Sequence, residues 1–239
     1  LLATFGYKLN AQVTTTPLTE NRVVKQYLAD NPGYTWNNQL KTKWGQKDTL
    51  TLPFFDDFST SNIYPDSSKW LNNQVFVNNQ FPIFPPTLNV ATFDALKADG
   101  RPYNNTINKD LNAAGDSLIS QPINLKDSAG VAYTLSDSIM LSFFYQPNGY
   151  GYHLNGEDSL RLFFKADNNS WFQVWSVGGQ ANSQDFKHVI VPLKNVNYLH
   201  EDFQFMFTTY TRQVGNANQW HVDYVYLDNR RSSSIDYYN

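Results

Sequence analysis

From residue 138 onward, apolar and polar residues alternate in short runs. Residues typical of turns separate each run from the next. Period-two alternation is typical of strands that bury one face, and a series of such runs without helical periodicity between them is typical of an antiparallel β-sandwich. We predict six strands in this half of the chain, at 138–145, 159–166, 171–177, 186–193, 202–211 and 219–228. The fold class that follows is all-β, a sandwich of the jelly-roll, concanavalin-like or MAM-like type.

Two of these runs show which side chains face the core. In each run the large apolar residues occupy every second position, and polar residues lie between them. A register slip of one residue would expose the apolar set, so the register should be well defined. The predicted core-facing residues are Leu160, Leu162, Phe164, Phe203, Phe205 and Phe207.

The first half of the chain is less regular. Residues 1–11 read as a signal-peptide remnant or, alternatively, as an ordinary N-terminal strand. Residues 12–48 read as a lead-in that contains a short peripheral helix at 21–30, ended by Asn31-Pro32-Gly33. The sandwich is predicted to span 49–230, and 231–239 form a polar tail. Within it, 49–58 reads as the first strand.

Residues 59–116 are rich in Asn, Pro and Gly and contain short apolar islands at 75–77, 81–84 and 89–93. A structureless stretch of this length is improbable inside a compact domain. We therefore expect short strands and loops here, held in place by the packing of Trp70 and the phenylalanines.

Composition and charge narrow the choice of partners. The 239 residues include 16% aromatic residues, no cysteine and a formal charge of −3. A chain without an excess of positive charge does not attract the phosphate backbone of nucleic acids, so we expect no nucleic acid partner. No apolar run approaches the ~20 residues of a membrane span, so we expect no membrane insertion. With a signal peptide at the start, the expected location is the outside of the cell or its outer surface.

Aromatic residues are the best candidates for ligand binding. Tyr150, Tyr152 and His153 lie in a glycine-rich loop, where recognition residues commonly collect. Trp171 and Trp175 are four residues apart, and ideal alternation places them on one face of their strand. They either stack on sugar rings or fill the core.

Acidic residues suggest one candidate metal site. Asp56, Asp57 and Asp223 would come together if the first and last predicted strands were neighbours, and their oxygens would suit a structural Ca²⁺ ion. The alternative is that these carboxylates cap turns, because no compact Asp-x-Asp-x-Asp loop is present. The four histidines are scattered and give no support for zinc.

Several segments together resemble an N-terminal module of large exported proteins from Bacteroidota, the phylum that uses type IX secretion. The resemblance covers about residues 50–230 and lies in Pro53-Phe-Phe-Asp-Asp-Phe58, Trp70 with Val75-Phe-Val-Asn78, Val90-Ala-Thr-Phe-Asp94, Gly100-Arg-Pro-Tyr103, Ser120-Gln-Pro-Ile-Asn-Leu125, Leu141-Ser-Phe-Phe-Tyr-Gln146 and Trp220-His-Val-Asp-Tyr-Val225. It implies a jelly-roll-like sandwich on an exported surface protein. The loop 149–155 departs from the family, which has a more acidic run there.

Five Asp-Ser/Thr-apolar triplets match the pattern to which exported Bacteroidota proteins attach O-glycans. They begin at Asp48, Asp116, Asp127, Asp137 and Asp158. Each also precedes a predicted strand, where Asp and Ser form turns naturally. Both interpretations stay open on the sequence.

The function that we expect is a non-catalytic module of the cell surface, used for adhesion, glycan binding or assembly with surface components. One alternative is a polysaccharide-acting hydrolase or its accessory domain, which would need two carboxylates facing each other across a groove. Another is a component of a secretion or gliding apparatus. The predicted partner is a glycan or a surface protein.

Overall fold

The computed structural model of the chain describes residues 19–36, 49–59, 62–103, 112–182, 185–213 and 215–232. Within these residues the chain forms a two-layer antiparallel β-sandwich with a single α-helix packed on its outside. The predicted signal-peptide remnant at 1–11, most of the lead-in and most of the polar tail lie outside the described residues.

The first layer is a six-stranded sheet in the order β10-β7-β12-β3-β2, with β1 paired to β12 as well. All of its pairings are antiparallel. Its strands are β1 (Phe54–Asp56), β2 (Phe76–Asn78), β3 (Val90–Phe93), β7 (Met140–Pro147), β10 (Lys187–Pro192) and β12 (Trp220–Asp228).

The second layer is a four-stranded antiparallel sheet in the order β4-β11-β8-β9. Its strands are β4 (Asn112–Ile119), β8 (Ser159–Lys165), β9 (Trp171–Gly178) and β11 (Phe205–Arg212). A small hairpin of β5 (Asp127–Ser128) and β6 (Val131–Ala132) and two 3-10 turns, Leu135–Asp137 and Val196–Tyr198, complete the regular structure of the described residues.

The core lies between the two sheets, where aromatic rings from both layers interlock. The Phe143 ring of β7 meets the Phe207 ring of β11 at a centroid distance of 4.8 Å, and Phe54 of β1 meets Phe205 of β11 at 5.2 Å. All six residues predicted to face the core are fully buried. The predicted all-β sandwich is thus confirmed, and each of the six predicted strands corresponds to an observed one.

The region 59–116 forms short strands and packed loops, as expected: β2 and β3 fall at the islands 75–77 and 89–93, and the island 81–84 lies in a loop. Two boundaries need correction. β1 covers only three residues of the predicted 49–58 run, and the sequence did not predict β4, because Ala113-Ala-Gly115 lacks the branched and aromatic residues that indicate a strand. Trp70 is fully buried, as expected.

The predicted helix is present as α1 (Arg22–Asp30). The Asn21 side chain caps it by accepting a hydrogen bond from the Val24 amide, as N-cap residues do. Val24 is buried against Tyr64 and Phe76 in a small apolar cluster separate from the main core. The helix therefore rests on the outside of the sandwich.

A loop, residues 79–88, covers part of the outer face of the six-stranded sheet. The Gln146 side chain both accepts from the Ile83 amide and donates to the Ile83 carbonyl, at 2.8 and 2.7 Å. Beneath the loop lies a buried polar layer in which Thr92 Oγ1 and His221 Nδ1 are 2.9 Å apart. The loop leaves the rest of this face open, and the candidate site lies there.

Candidate functional site

An aromatic row crosses four strands on the open part of the six-stranded sheet. We define this aromatic row as Tyr226, Phe55, Tyr224, Phe144 and His188. Successive ring centroids are 6.1, 4.9, 6.2 and 4.8 Å apart in that order. The first three contacts are edge-to-face, the arrangement that aromatic quadrupoles prefer.

Strand register explains how residues so distant in sequence meet. Phe55 of β1 pairs with Tyr226 of β12, and Phe144 of β7 pairs with His188 of β10. Cross-strand partners place their side chains on the same face of a sheet. Their sequence neighbours Phe54, Phe143 and Leu227 point into the core, so the row faces outward.

A β-bulge in β12 completes the row. The pairing of β12 with β7 shifts between Asp223 and Tyr226, and Tyr224 adopts a left-handed backbone with φ of 50°. A bulky residue in that region is strained, and such strain persists only where the surroundings impose it. The bulge brings the Tyr224 ring to the outer face between Phe55 and Phe144, which links the two halves of the row.

Charged groups lie at the Tyr226 end. The Arg231 guanidinium stacks over the Tyr226 ring at 4.4 Å and donates to the carbonyls of Met140 and Tyr226 and to the Ser142 hydroxyl. The Tyr226 hydroxyl donates to Asp228 at 2.8 Å. Both contacts hold the Tyr226 ring in place at the surface.

The row combines exposure with rigidity. Phe55 is exposed, Tyr224, Tyr226 and His188 are half-buried, and Phe144 is buried at the floor. Because each ring contacts its neighbour and sits on a paired strand, the surface is preorganised. A rigid apolar surface of this kind loses little conformational entropy when a ligand binds.

The predicted loop residues lie beside loop 79–88. Tyr150 and Tyr152 are 71% and 68% exposed, and His153 is exposed as well. Their backbone is fixed by hydrogen bonds from the Tyr150 amide to the Phe81 carbonyl and from the Tyr152 amide to the Ala217 carbonyl. The structure thus presents these three side chains on a firm loop, and their role in binding stays a prediction.

The prediction for the two tryptophans is wrong in its geometry. Trp175 pairs with the core-facing Leu162, whereas Trp171 pairs with the outward-facing Lys165, because β9 contains a bulge between them. The extra residue puts the two rings on opposite faces. Trp175 packs on Phe143 and Tyr145 at 5.1 and 5.2 Å, so it belongs to the core, and Trp171 is half-buried outside.

The three predicted calcium ligands are each held by donors of the protein. Asp56 accepts from Trp70 Nε1, Lys69 Nζ and the Phe58 amide, and Asp57 accepts from the Ser59 amide and hydroxyl. Asp223 accepts from Thr87. Among the described residues, no three histidine, aspartate or glutamate side chains are grouped to share a metal ion. The calcium hypothesis thus stays an untested prediction.

The carboxyls with perturbed pKa values lie in the interior. Burial raises the pKa of Asp94 to about 7 and that of Asp223 to about 7, and burial beside Asp94 raises the pKa of Asp116 well above its usual range. Asp116 accepts from Tyr103 Oη and the Ala95 amide, and Asp94 accepts from Asn21 and the Leu96 amide. Asp116 and Asp223 are fully buried, and Asp94, only 3% exposed, lines a small cavity beside α1.

Exposure differs among the Asp-Ser/Thr-apolar triplets. In the four that lie wholly in the described residues, Ser117 and Ser159 take part in side-chain hydrogen bonds and Ser138 ends a 3-10 turn. Ser128 is exposed in the β5–β6 hairpin. The O-glycan hypothesis stays a prediction, and Ser128 is its most accessible position.

Sequence reasoning missed the aromatic row. Phe55, Tyr224 and Tyr226 were visible as aromatic residues of the first and last strands, but strict alternation places Tyr224 and Tyr226 on the same side as Trp220 and Val222, which lie in the core. The missing information was the bulge in β12, which turns both rings outward and which a single sequence does not reveal. None of the helices in the described part of the chain has the length and apolar character of a membrane span.

Comparison with known proteins finds similarity in shape alone. No protein-family model and no curated protein matches the chain. Among solved structures, a carbohydrate-binding module specific for non-crystalline cellulose is 13% identical with a TM-score of 0.38, over 64% of this chain and 80% of its own.

Two further solved structures have the same general outline. A Caldicellulosiruptor saccharolyticus carbohydrate-binding module in complex with mannohexaose is 11% identical, with a TM-score of 0.43, over 74% of this chain and 96% of its own. The K2 cleaved adhesin domain of Lys-gingipain is 10% identical, with a TM-score of 0.42, over 74% of this chain and 97% of its own. At these scores the likeness does not extend to individual binding residues.

Proposed function

We propose that the chain is a non-catalytic extracellular module that binds polysaccharide along the aromatic row. The observation that supports this function is the unbroken series of ring contacts from Tyr226 to His188 on an open sheet face. The C–H face of a pyranose ring is apolar and packs on an aromatic ring, while its hydroxyls keep their contacts with water. A row several rings long suits a chain of sugars better than a single one.

Export of this module to the cell surface, through a signal peptide and type IX secretion, is the finer part of the same proposal. It is supported by the resemblance of residues 50–230 to modules of exported Bacteroidota proteins. A hydrolase is disfavoured by the burial of the perturbed carboxyls Asp94, Asp116 and Asp223.

The binding prediction is tested with polysaccharides in native gels. We expect the protein to be retarded by at least one of soluble glucomannan, hydroxyethylcellulose and xylan. Phe55→Ala should weaken that binding roughly tenfold, because truncation of a central aromatic contact typically costs that much. Phe172→Ala is the matched control, since Phe172 is 47% exposed on β9 of the other sheet. Equal effects of the two variants, or no retardation of the wild-type protein, would reject the proposal.

Adhesion to a surface protein is a second candidate, and a different observation favours it. Phe84 and Leu88 of loop 79–88 are 86% and 63% exposed, and the neighbouring loop exposes Tyr150 and Tyr152. Exposed aromatic groups are enriched in protein interfaces. Binding of labelled module to host cells before and after protease or glycosidase treatment distinguishes the two: loss after glycosidase supports glycan binding, and loss after protease supports protein binding.

A further inference from the structure

Asp223 and Thr87 join loop 79–88 to the strained bulge of β12. The two residues are 136 positions apart in sequence, yet the Thr87 amide donates to Asp223 Oδ2 at 3.0 Å and the Thr87 hydroxyl lies 3.0 Å from both carboxylate oxygens. The Tyr224 amide donates to Asp223 Oδ1 at 2.6 Å. One buried carboxylate therefore binds both the loop and the residue whose ring links the two halves of the aromatic row.

We infer that Thr87 and Asp223 form a latch that positions Tyr224 in the aromatic row, so that docking of loop 79–88 and binding by the row depend on each other. The inference rests on the proposed function for its ligand but not for its geometry. Asp223 is a positioning residue here, since it acts through the backbone of Tyr224 and touches no ligand itself.

The Thr87 hydroxyl also reaches the chain next to β1. It lies 2.8 Å from the Asp57 carbonyl oxygen and 3.1 Å from the Asn89 carbonyl oxygen. Thr87 therefore joins loop 79–88 both to β12, through Asp223, and to the residue that follows β1.

The first test needs no ligand. In ¹H–¹⁵N spectra, Thr87→Val should shift the Tyr224 amide signal, because the hydroxyl of Thr87 and the Tyr224 amide meet at the same carboxylate. Thr211→Val should leave the Tyr224 signal unchanged. An unchanged Tyr224 signal in Thr87→Val would overturn the latch.

The second test uses soluble glucomannan as the probe. We expect Thr87→Val to bind it roughly fivefold more weakly than the wild type does, the factor for one lost hydrogen bond. Thr211→Val is the control, since its hydroxyl also donates to a buried carboxylate, Asp158, but in the other sheet. It should leave the affinity unchanged.

The outcomes separate the two proposals. A Tyr224 amide signal that shifts in Thr87→Val, in a protein that binds none of the polysaccharides, would reject the proposed function and leave the latch supported. A Thr87→Val variant that binds glucomannan like wild type would reject the dependence of the row on the loop.

Discussion

Gly149 shows how a single residue keeps the loops around the site close together. Its φ is 54°, and a Cβ atom there would collide with the Phe81 carbonyl oxygen and with His221 Nε2. The first atom belongs to loop 79–88 and the second to β12 of the six-stranded sheet beneath it. A side chain at this position would push the Tyr150 loop away from loop 79–88.

Gly149→Ala should therefore be strongly destabilising. We expect a loss of about 2 kcal/mol or more, since the new methyl group adds a steric clash to backbone strain. Urea unfolding followed by tryptophan fluorescence measures it. Gly156→Ala is the control, because a Cβ there meets no atom within 4 Å; similar losses for both variants would contradict the packing described for Gly149.

At the scale of elements, alternation located strands well and bulges poorly. The predicted run 219–228 matches β12 (Trp220–Asp228) almost residue for residue. The bulge in β9 reversed the expected side of one tryptophan, and the bulge in β12 brought Tyr224 to the surface. In a bulge, two residues of one strand lie opposite a single residue of its partner. A bulge is therefore a property of the pair of strands, and the hydrophobic pattern of either strand alone does not reveal it.

Helix α1 is attached by its first residues. Asn21 caps the helix, its Nδ2 donates to Asp94 at 3.1 Å, and its amide donates to the Gly100 carbonyl at 2.9 Å. The cap therefore serves both the helix and its attachment to the sandwich.

Asn21→Ala should loosen α1 more than the sandwich. Loss of an N-cap costs about 1 kcal/mol, and Asp94 loses a donor as well. Hydrogen exchange should become faster at the amides of α1 and stay unchanged in β7 and β12. Lys25→Ala is the control, since Lys25 makes only an exposed ion pair with Glu20 among the contacts described. Uniformly faster exchange throughout the protein would contradict a local role.

At the scale of the whole molecule, buried ionisable groups tie stability to pH. Asp94 and Asp223 have raised pKa values of about 7, so they favour folding while protonated, and their contribution is lost as the pH rises from about 4 to about 7. Burial lowers the pKa of His221 to about 3, so its contribution is present above about pH 6.5 and is lost as the pH falls toward 3.

The two trends predict that stability decreases as the pH rises from about 4 to about 7, because the two carboxyls together lose more than the single histidine gains. Each titrating carboxyl lowers the free energy of unfolding by at most ~1.4 kcal/mol per pH unit. Asp94→Asn removes one such group, so its urea midpoint should depend less steeply on pH than that of the wild type. Parallel pH profiles for the two proteins would show that Asp94 does not titrate in this range.

The sequence by itself determined the local extended conformations, the buried face of strands such as β8 and β11, and the short helix, because each depends on residues within a few positions of one another. Only the tertiary structure decided which strands are neighbours and which face stays open. The aromatic row joins residues 55, 144, 188, 224 and 226, and its latch joins Thr87 to Asp223. Strand pairing and loop docking bring these groups together, and no local pattern encodes the long-range contacts that do so.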